Sequence, residues 1–431
     1  MMGTDSSRPV LGDRAPEQVL AELRTTLFAS LQRSDQRLRA EQYVRGLLAA
    51  EGRKTLRNIA AQIGGATARQ SVHHFISDSS WEWRPVRQAL ARHTERLLEP
   101  QAWVVRPTVI PKAGVHSVGV EPRFLPDLGQ TVNSQQAYGA WMVSGTHAVP
   151  VDWRLLLTES WLADAERRRG AGIPATVRTA TPEDCVSQLA PRAGGESPGR
   201  VPVVVNVDGL DAAECARRLE SLGAPLLMRV DAATRLRADG SALQGYSERT
   251  TTAGQLLEAV KRLRRPTEWT LTRDDRRDTV ATTVPVLLPR PRRDRAGLPD
   301  GTPWRPMRLI GEWAGGERRQ ARLWLTDATE LPIGALLRLT RLTAVADRDA
   351  RRIADQVGMR DFVGRSFQGW HRHVTLASAA HLAVVMAGTE AFPATRATEA
   401  APEVTDGPGA AAPTKGGVAS RGPSDSAGTA A

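Results

Sequence analysis

Apolar positions along the chain follow helical spacing up to about residue 100 and strand spacing after it. Val19, Leu20, Leu23, Leu27 and Leu31 make one stripe and predict a helix over 16–31. Leu38, Tyr43, Val44, Leu47 and Leu48 predict a second over 36–48, ended by Gly52. Leu56, Ile59 and Ala60 predict a short third over 55–63. Gly64 and Gly65 turn the chain, and Val72 and Phe75 face inward on a fourth helix. A short helix, a glycine turn and a polar-rich helix together have helix-turn-helix spacing. An amphipathic helix over 84–98 follows. Apolar residues then dominate 103–105 and return at Ile110, before a Pro-Lys-Ala-Gly turn at 111–114 and a short run at 115–120. That pattern predicts two strands joined by a tight turn. A loop over 127–133 and strands over 136–143 and 148–157 complete an antiparallel meander.

Residues 164–170 read as a charged helix end or loop. Thr181 is placed to cap a helix over 181–189, with Pro182 at its first position and Glu183 and Asp184 in its first turn. The nearly unbroken apolar run at 201–207 predicts a buried strand, followed by a helix over 211–222 and a strand over 225–230. Strand, helix, strand beside a meander argues for an α/β layer. Residues 235–303 are polar, basic and broken by Pro and Gly, with a short strand such as 280–288. A closing hairpin at 307–313 and 320–325 precedes helices over 331–341, 343–357 and 375–386, the last following the stretch FQGWHRHVTL. The division expected is a flexible start (1–15), a helical, helix-turn-helix-like domain (16–99), an α/β core (100–230 and 331–390), a basic β-rich insertion (231–330) and a tail (391–431). The tail has almost no bulky apolar residue and is expected to be disordered.

Composition adds a partner class. Among 431 residues, 58 Lys and Arg against 47 Asp and Glu give a net charge of +11 and a pI near 10.7. Such an excess favours a polyanion, nucleic acid first. In the helical region Arg53, Lys54, Arg57, Arg69, Gln70, His73 and His74 are candidates for phosphates or bases, and in the insertion Arg264, Arg265, Arg292 and Arg293 are candidates to track a backbone. The two cysteines, Cys185 and Cys215, form no zinc pattern and no disulfide framework. No apolar run reaches the roughly 20 residues of a membrane span, and the amino end lacks a secretory h-region. The expected location is the cytoplasm, in association with the nucleoid if the protein binds DNA.

Four stretches carry a resemblance: IPKAGVHSVGV at 110–120, PVDWRLLLTESW at 150–161, AGIP at 171–174 and GMRDFVGRSFQGWHRHVTLASAAH at 358–381. In this order they resemble bacterial insertion-sequence transposases of the DDE superfamily, over roughly residues 23–386. The resemblance implies a ribonuclease-H-like core in which three carboxylates hold two magnesium ions for cutting and joining DNA. It assigns the first carboxylate to the step before the Pro-Lys turn, where this chain has Arg106, Pro107, Thr108 and Val109. It assigns the second to Asn206, with Asp208 two residues on, and the third to Asp347, with Asp349 nearby. Both other acids are replaced, so the triad is expected to be degenerate and to hold no metal. Magnesium would be expected only if that assignment were wrong. A relocated single-metal site would draw on Asp152, Asp208 or Asp347. Lys112, Gly114, His116, Ser117, Asp152, Trp153, Arg154, Trp161, Arg365, Trp370, His371, Arg372 and His373 match the family's other motifs. Of these, Lys112, Arg365 and Arg372 join the DNA-contact candidates.

The function expected is that of a catalytically inactive, domesticated transposase-like protein that binds double-stranded DNA as a transcriptional regulator or architectural factor. The family's habit of working in pairs on DNA ends leaves a homodimer open. The alternatives are an enzyme that reuses the pocket of Arg106, Pro107, Asn206, Asp208, Asp347 and His371 on a small molecule, and residual metal-dependent transposition.

Overall fold

The computed structural model describes residues 14–126, 128–190, 201–240, 249–270, 276–290, 304–313 and 322–388. Most of the start and all of the tail, the loop expected at 193–200, and Arg292 and Arg293 lie outside the described residues.

Five helices come first: α1 (Pro16–Leu27), α2 (Ser34–Ala49), α3 (Leu56–Ala61), α4 (Ala66–Ser77) and α5 (Trp83–Leu98). Thr55 starts α3 by accepting a hydrogen bond from the Asn58 N–H at 3.2 Å. Gly65, at φ +67°, makes the turn into α4 in a conformation that favours glycine. The helix-turn-helix spacing is therefore present as two packed helices.

The α/β part contains β1 (Ala102–Pro111), β2 (Val120–Leu125), β3 (Gln130–Val143), β4 (Ala148–Leu155), α6 (Glu159–Leu162), α7 (Ala165–Gly170), α8 (Pro182–Leu189), β5 (Val203–Val205), α9 (Ala212–Arg218) and β6 (Leu226–Val230). Then come β7 (Arg235–Ala238), β8 (Thr251–Thr252), α10 (Ala253–Ala259), β9 (Arg265–Thr270), β10 (Arg276–Pro289), β11 (Trp304–Trp313), β12 (Arg322–Thr326), α11 (Ile333–Asp349) and α12 (Phe367–Ala387). All strands join one mixed sheet in the order β2-β3-β1-β5-β6-β12-β11-β10-β7-β8, with β4 also on β3 and β9 also on β10. β1, β5 and β6 are parallel neighbours, and β3 and β4 run antiparallel beside them. This is the ribonuclease-H-like arrangement.

Alternate residues of the central strands face opposite layers. Val104 joins the core formed with α11, α12 and the amino-terminal helices, whereas Val105 joins the one formed with α8, α9 and α10.

Several expectations change. The strand pair expected at 103–120 is not a hairpin: β1 and β2 each pair with β3, and the segment between them loops out, with Val115 49% exposed. The loop expected over 127–133 is mostly strand, because the 14-residue β3 pairs with β2 through its first half and with β4 through its second. The two helices expected over 331–357 are one, α11, continued by a π-helical turn at Ala350–Ala354. The last helix starts at Phe367, eight residues before its expected start, capped by the Ser366 hydroxyl. All its residues but Gln368 are buried.

That early start places polar groups inside the protein, and each finds a partner. Arg372 donates to the carbonyls of Trp81 (3.1 Å), Ile76 (3.0 Å) and Ser79. His373 lies between the Tyr43 hydroxyl and the Gly358 carbonyl, 2.8 Å from each. His381 Nε2 is 2.8 Å from the Ala148 carbonyl. Burial holds the His373 and His381 rings down to about 4.

Candidate functional site

β1 and β5 run parallel with Val105 beside Val205, and the Asn206 N–H donates to the Val105 carbonyl at 2.9 Å. Asn206 therefore leaves the sheet next to Arg106. Arg106 points towards α11, where its Nε donates to the Asp347 carboxylate at 2.9 Å. Its guanidinium also lies 5.7 Å from the centre of the Trp141 ring. The three positions that the resemblance assigned to carboxylates, far apart in the chain, thus lie near one another at the middle of β1, where β5 ends. Burial lowers the Arg106 pKa and Asp347 opposes that shift. Burial also raises the Asp355 carboxyl, which pairs with Arg360 at 2.7 Å.

The other members of the expected pocket go elsewhere. Pro107 follows Arg106 on a strand and so faces the opposite side. Asp208 is exposed and pairs with Arg229 on β6 at 2.8 Å. Asp152 takes the guanidinium of Arg87 at 2.8 Å and that of Arg154 at 3.4 Å. His371 also meets Arg87 rather than Arg106, with Nη2 3.1 Å from its Nδ1. Asp349 accepts from the Ala148 N–H at 2.8 Å and is fully buried.

Two magnesium ions need a cage of oxygen ligands that carries enough negative charge. Arg106, Asn206 and Asp347 provide one carboxylate, already engaged by a cation, and do not fit that requirement. Among the described residues, no three His, Cys, Asp or Glu side chains are grouped as ligands. Cys185 and Cys215 are buried, and burial pushes both thiols up to about 12, far from a reactive thiolate.

The DNA-contact candidates divide by burial. Arg57, Arg69 and His73 are exposed on α3 and α4, with His73 Nδ1 3.6 Å from Asp78. Arg53, Arg265 and Arg365 are exposed as well. Three others are internal and correct the sequence reading. Lys54 is 6% exposed and donates to the Ala50 carbonyl. Arg372 is the strut described above. Lys112 donates to the carbonyls of Phe362 (2.5 Å) and Arg360 (3.4 Å), and burial lowers its pKa to about 8. Arg264 is half-buried, 4.2 Å from the centre of the Trp313 ring. Lys54, Lys112 and Arg372 were read as surface groups because a guanidinium or ammonium inside a protein needs carbonyl partners that sequence does not reveal.

Lys54 instead holds the helical segment to the stretch before α12, and Lys112 ties that same stretch to the end of β1. The Lys54 N–H donates to Asp361 at 2.7 Å, and Arg53 lies 3.9 Å from the same carboxylate. Gly358, at φ +74°, lets the Lys54 side chain pass; a Cβ there would lie 2.3 Å from Lys54 Cγ.

Sequence reasoning missed Arg87. Its guanidinium reaches Thr375 (2.7 Å), Asp152, the Trp153 carbonyl (2.8 Å) and His371. A signal existed: Arg87 falls on the same helical face as Trp83, Val86, Leu90, Thr94 and Leu98, all buried.

A ribonuclease-H-like sheet that brings Arg106 and Asp347 together has the frame of the DDE class. The sequence profile described as DDE superfamily endonuclease matches residues 26–287, more than half of the chain, and the protein belongs to that family. No curated protein matches the chain. The family acts on DNA, which makes DNA the substrate or partner class. Among the described residues no helix is long and apolar enough to cross a membrane.

Proposed function

We propose that this protein binds duplex DNA as a domesticated family member, a regulator or architectural factor, and does not carry out two-metal strand cleavage or joining. The observation that carries this reading is the 2.9 Å ion pair between Arg106 and Asp347. It puts a fixed positive charge where a dication would have to sit, and like charges at contact distance repel strongly in a partly desolvated site. Asn206 supplies a neutral amide at the second position. DNA binding is supported by the family, by the +11 net charge and by the exposed Arg57, Arg69 and His73 on the paired helices.

Two measurements test it. Duplex binding across a salt series should weaken steeply, and Arg57→Ala with Arg69→Ala should reduce the slope of log K against log salt by about 2. Incubation with supercoiled and linear DNA in magnesium or manganese should give no protein-dependent nicking or joining. Absence of binding at low salt would remove the first half of the proposal. Metal-dependent cleavage that disappears in Asp347→Ala would remove the second.

A further inference from the structure

A second site lies away from Arg106. A cleft of about 330 Å³ opens between the start of α5, the end of β4, the connection from α7 to α8, and the start of α12. Trp83, Arg84, Arg154, Arg178, Asp184 and His371 are among its walls. Its size falls at the lower end of the roughly 300–1,000 Å³ usual for small-molecule sites.

The wall is cationic. Asp184 is already engaged, accepting from the Thr181 N–H at 2.9 Å and pairing with Arg218. Arg84 and Arg178 are exposed, and Arg154 is half-buried with Nε on Gln188 at 3.2 Å. At the back of the cleft, His371 is 4% exposed. The Arg87 guanidinium points at its Nδ1, and a guanidinium only donates, so Nδ1 must be the accepting nitrogen. The proton of the neutral ring is then on Nε2, which has no hydrogen-bond partner among the described residues. Trp83 stacks on this ring at 4.7 Å and 6°, and Phe367 meets its edge at 4.5 Å, so the N–H is held in one orientation.

We infer that this cleft binds a phosphate monoester, with the His371 Nε2–H and the guanidinia of Arg154, Arg178 and Arg84 donating to its oxygens. Arginine forks match phosphate geometry, and a fixed imidazole N–H adds a directional donor that a generic basic surface lacks. The monoester is carried either on a free nucleotide or on the end of a nucleic-acid strand.

The test is titration of the full-length protein with adenosine monophosphate, adenosine, and a single-stranded decanucleotide with or without a 5′-phosphate. At least one phosphorylated ligand should bind about ten-fold or more tightly than its unphosphorylated counterpart. Arg178→Ala should weaken that binding about ten-fold, and Arg33→Ala, outside the cleft and paired with Asp35 at the start of α2, should leave it unchanged. Binding of the mononucleotide but not the strand identifies a free nucleotide as the source; the reverse identifies a strand end. The bound state should also shift the 15N resonance of His371 Nε2. The inference is overturned if neither phosphorylated ligand binds, if adenosine binds as tightly as its monophosphate, or if Arg33→Ala weakens binding as much as Arg178→Ala. Binding to unphosphorylated duplex DNA is a separate measurement, so failure here leaves the proposed function standing.

Discussion

Replacing Arg106 perturbs the feature on which the proposed loss of metal chemistry rests. Its side chain is 17% exposed and that of Asp347 is 32% exposed, so the pair is neither a surface bridge nor a fully buried one. Surface pairs contribute about 0–1 kcal/mol, and breaking a fully buried pair costs roughly 3–5 kcal/mol. An intermediate position suggests about 1.5–2.5 kcal/mol for stranding Asp347. Loss of the Trp141 contact adds about 0.5–1 kcal/mol. Arg106→Ala should therefore destabilise the fold by about 2–3.5 kcal/mol. The coupling is isolated by a double-mutant cycle of Arg106→Met, Asp347→Asn and the double variant, read from urea unfolding. The expected coupling energy is about 1–2 kcal/mol, with the double variant more stable than the sum of the singles implies. A coupling below about 0.3 kcal/mol, within ordinary additivity error, would refute the claim that the two residues form a working pair. It would also remove the physical reason for excluding cations from this part of the sheet.

Three further outcomes follow from the core. His373 and His381 are held neutral down to about 4, while their unfolded forms take up protons near 6.5. Between those values the unfolded state binds more protons, so stability is complete above about pH 6.5 and falls as pH drops, by about 1.4 kcal/mol per pH unit per ring; a flat profile from pH 6.5 to 4.5 in urea titrations would contradict this. Gly358→Ala forces a Cβ against Lys54 at a positive φ and should cost about 2 kcal/mol or more, visible as a lowered Tm. Arg372→Met strands the carbonyls of Ile76, Ser79 and Trp81 and should cost about 2–4 kcal/mol, with faster amide exchange at the end of α4. It should do so without altering the salt slope of DNA binding, and a changed slope would return Arg372 to the DNA-contact set.

Local signals were readable wherever one segment contains its own explanation. The stripes of α1 and α2, the Thr181 cap and the apolar run at β5 needed no distant partner. The cap is present, and the structure adds a reciprocal bond: the Thr181 hydroxyl accepts from the Asp184 N–H and the Asp184 carboxylate accepts from the Thr181 N–H. What was illegible depends on residues hundreds of positions away. FQGWHRHVTL looked too polar for a buried helix because its partners are Arg87, Tyr43, Gly358 and the carbonyls after α4. The meander was misdrawn because a single long strand serves two partners on one edge, which alternation in a sequence does not encode. Asn206 and Asp347 were assigned by motif alone, and the Arg106 side chain's turn towards α11 required the sheet.

The basic segment between β6 and α11 was expected to be an insertion, a word that suggests something removable. Its last strand, β12, is zipped antiparallel along β6 from Leu227 to Val230. Excising residues 231–330 would leave those amides and carbonyls without partners along a bare, apolar sheet margin, an invitation to stick to any neighbouring chain. Minimal versions of this protein built by trimming that region should therefore precipitate, and its evolutionary loss would have required a substitute cover for β6.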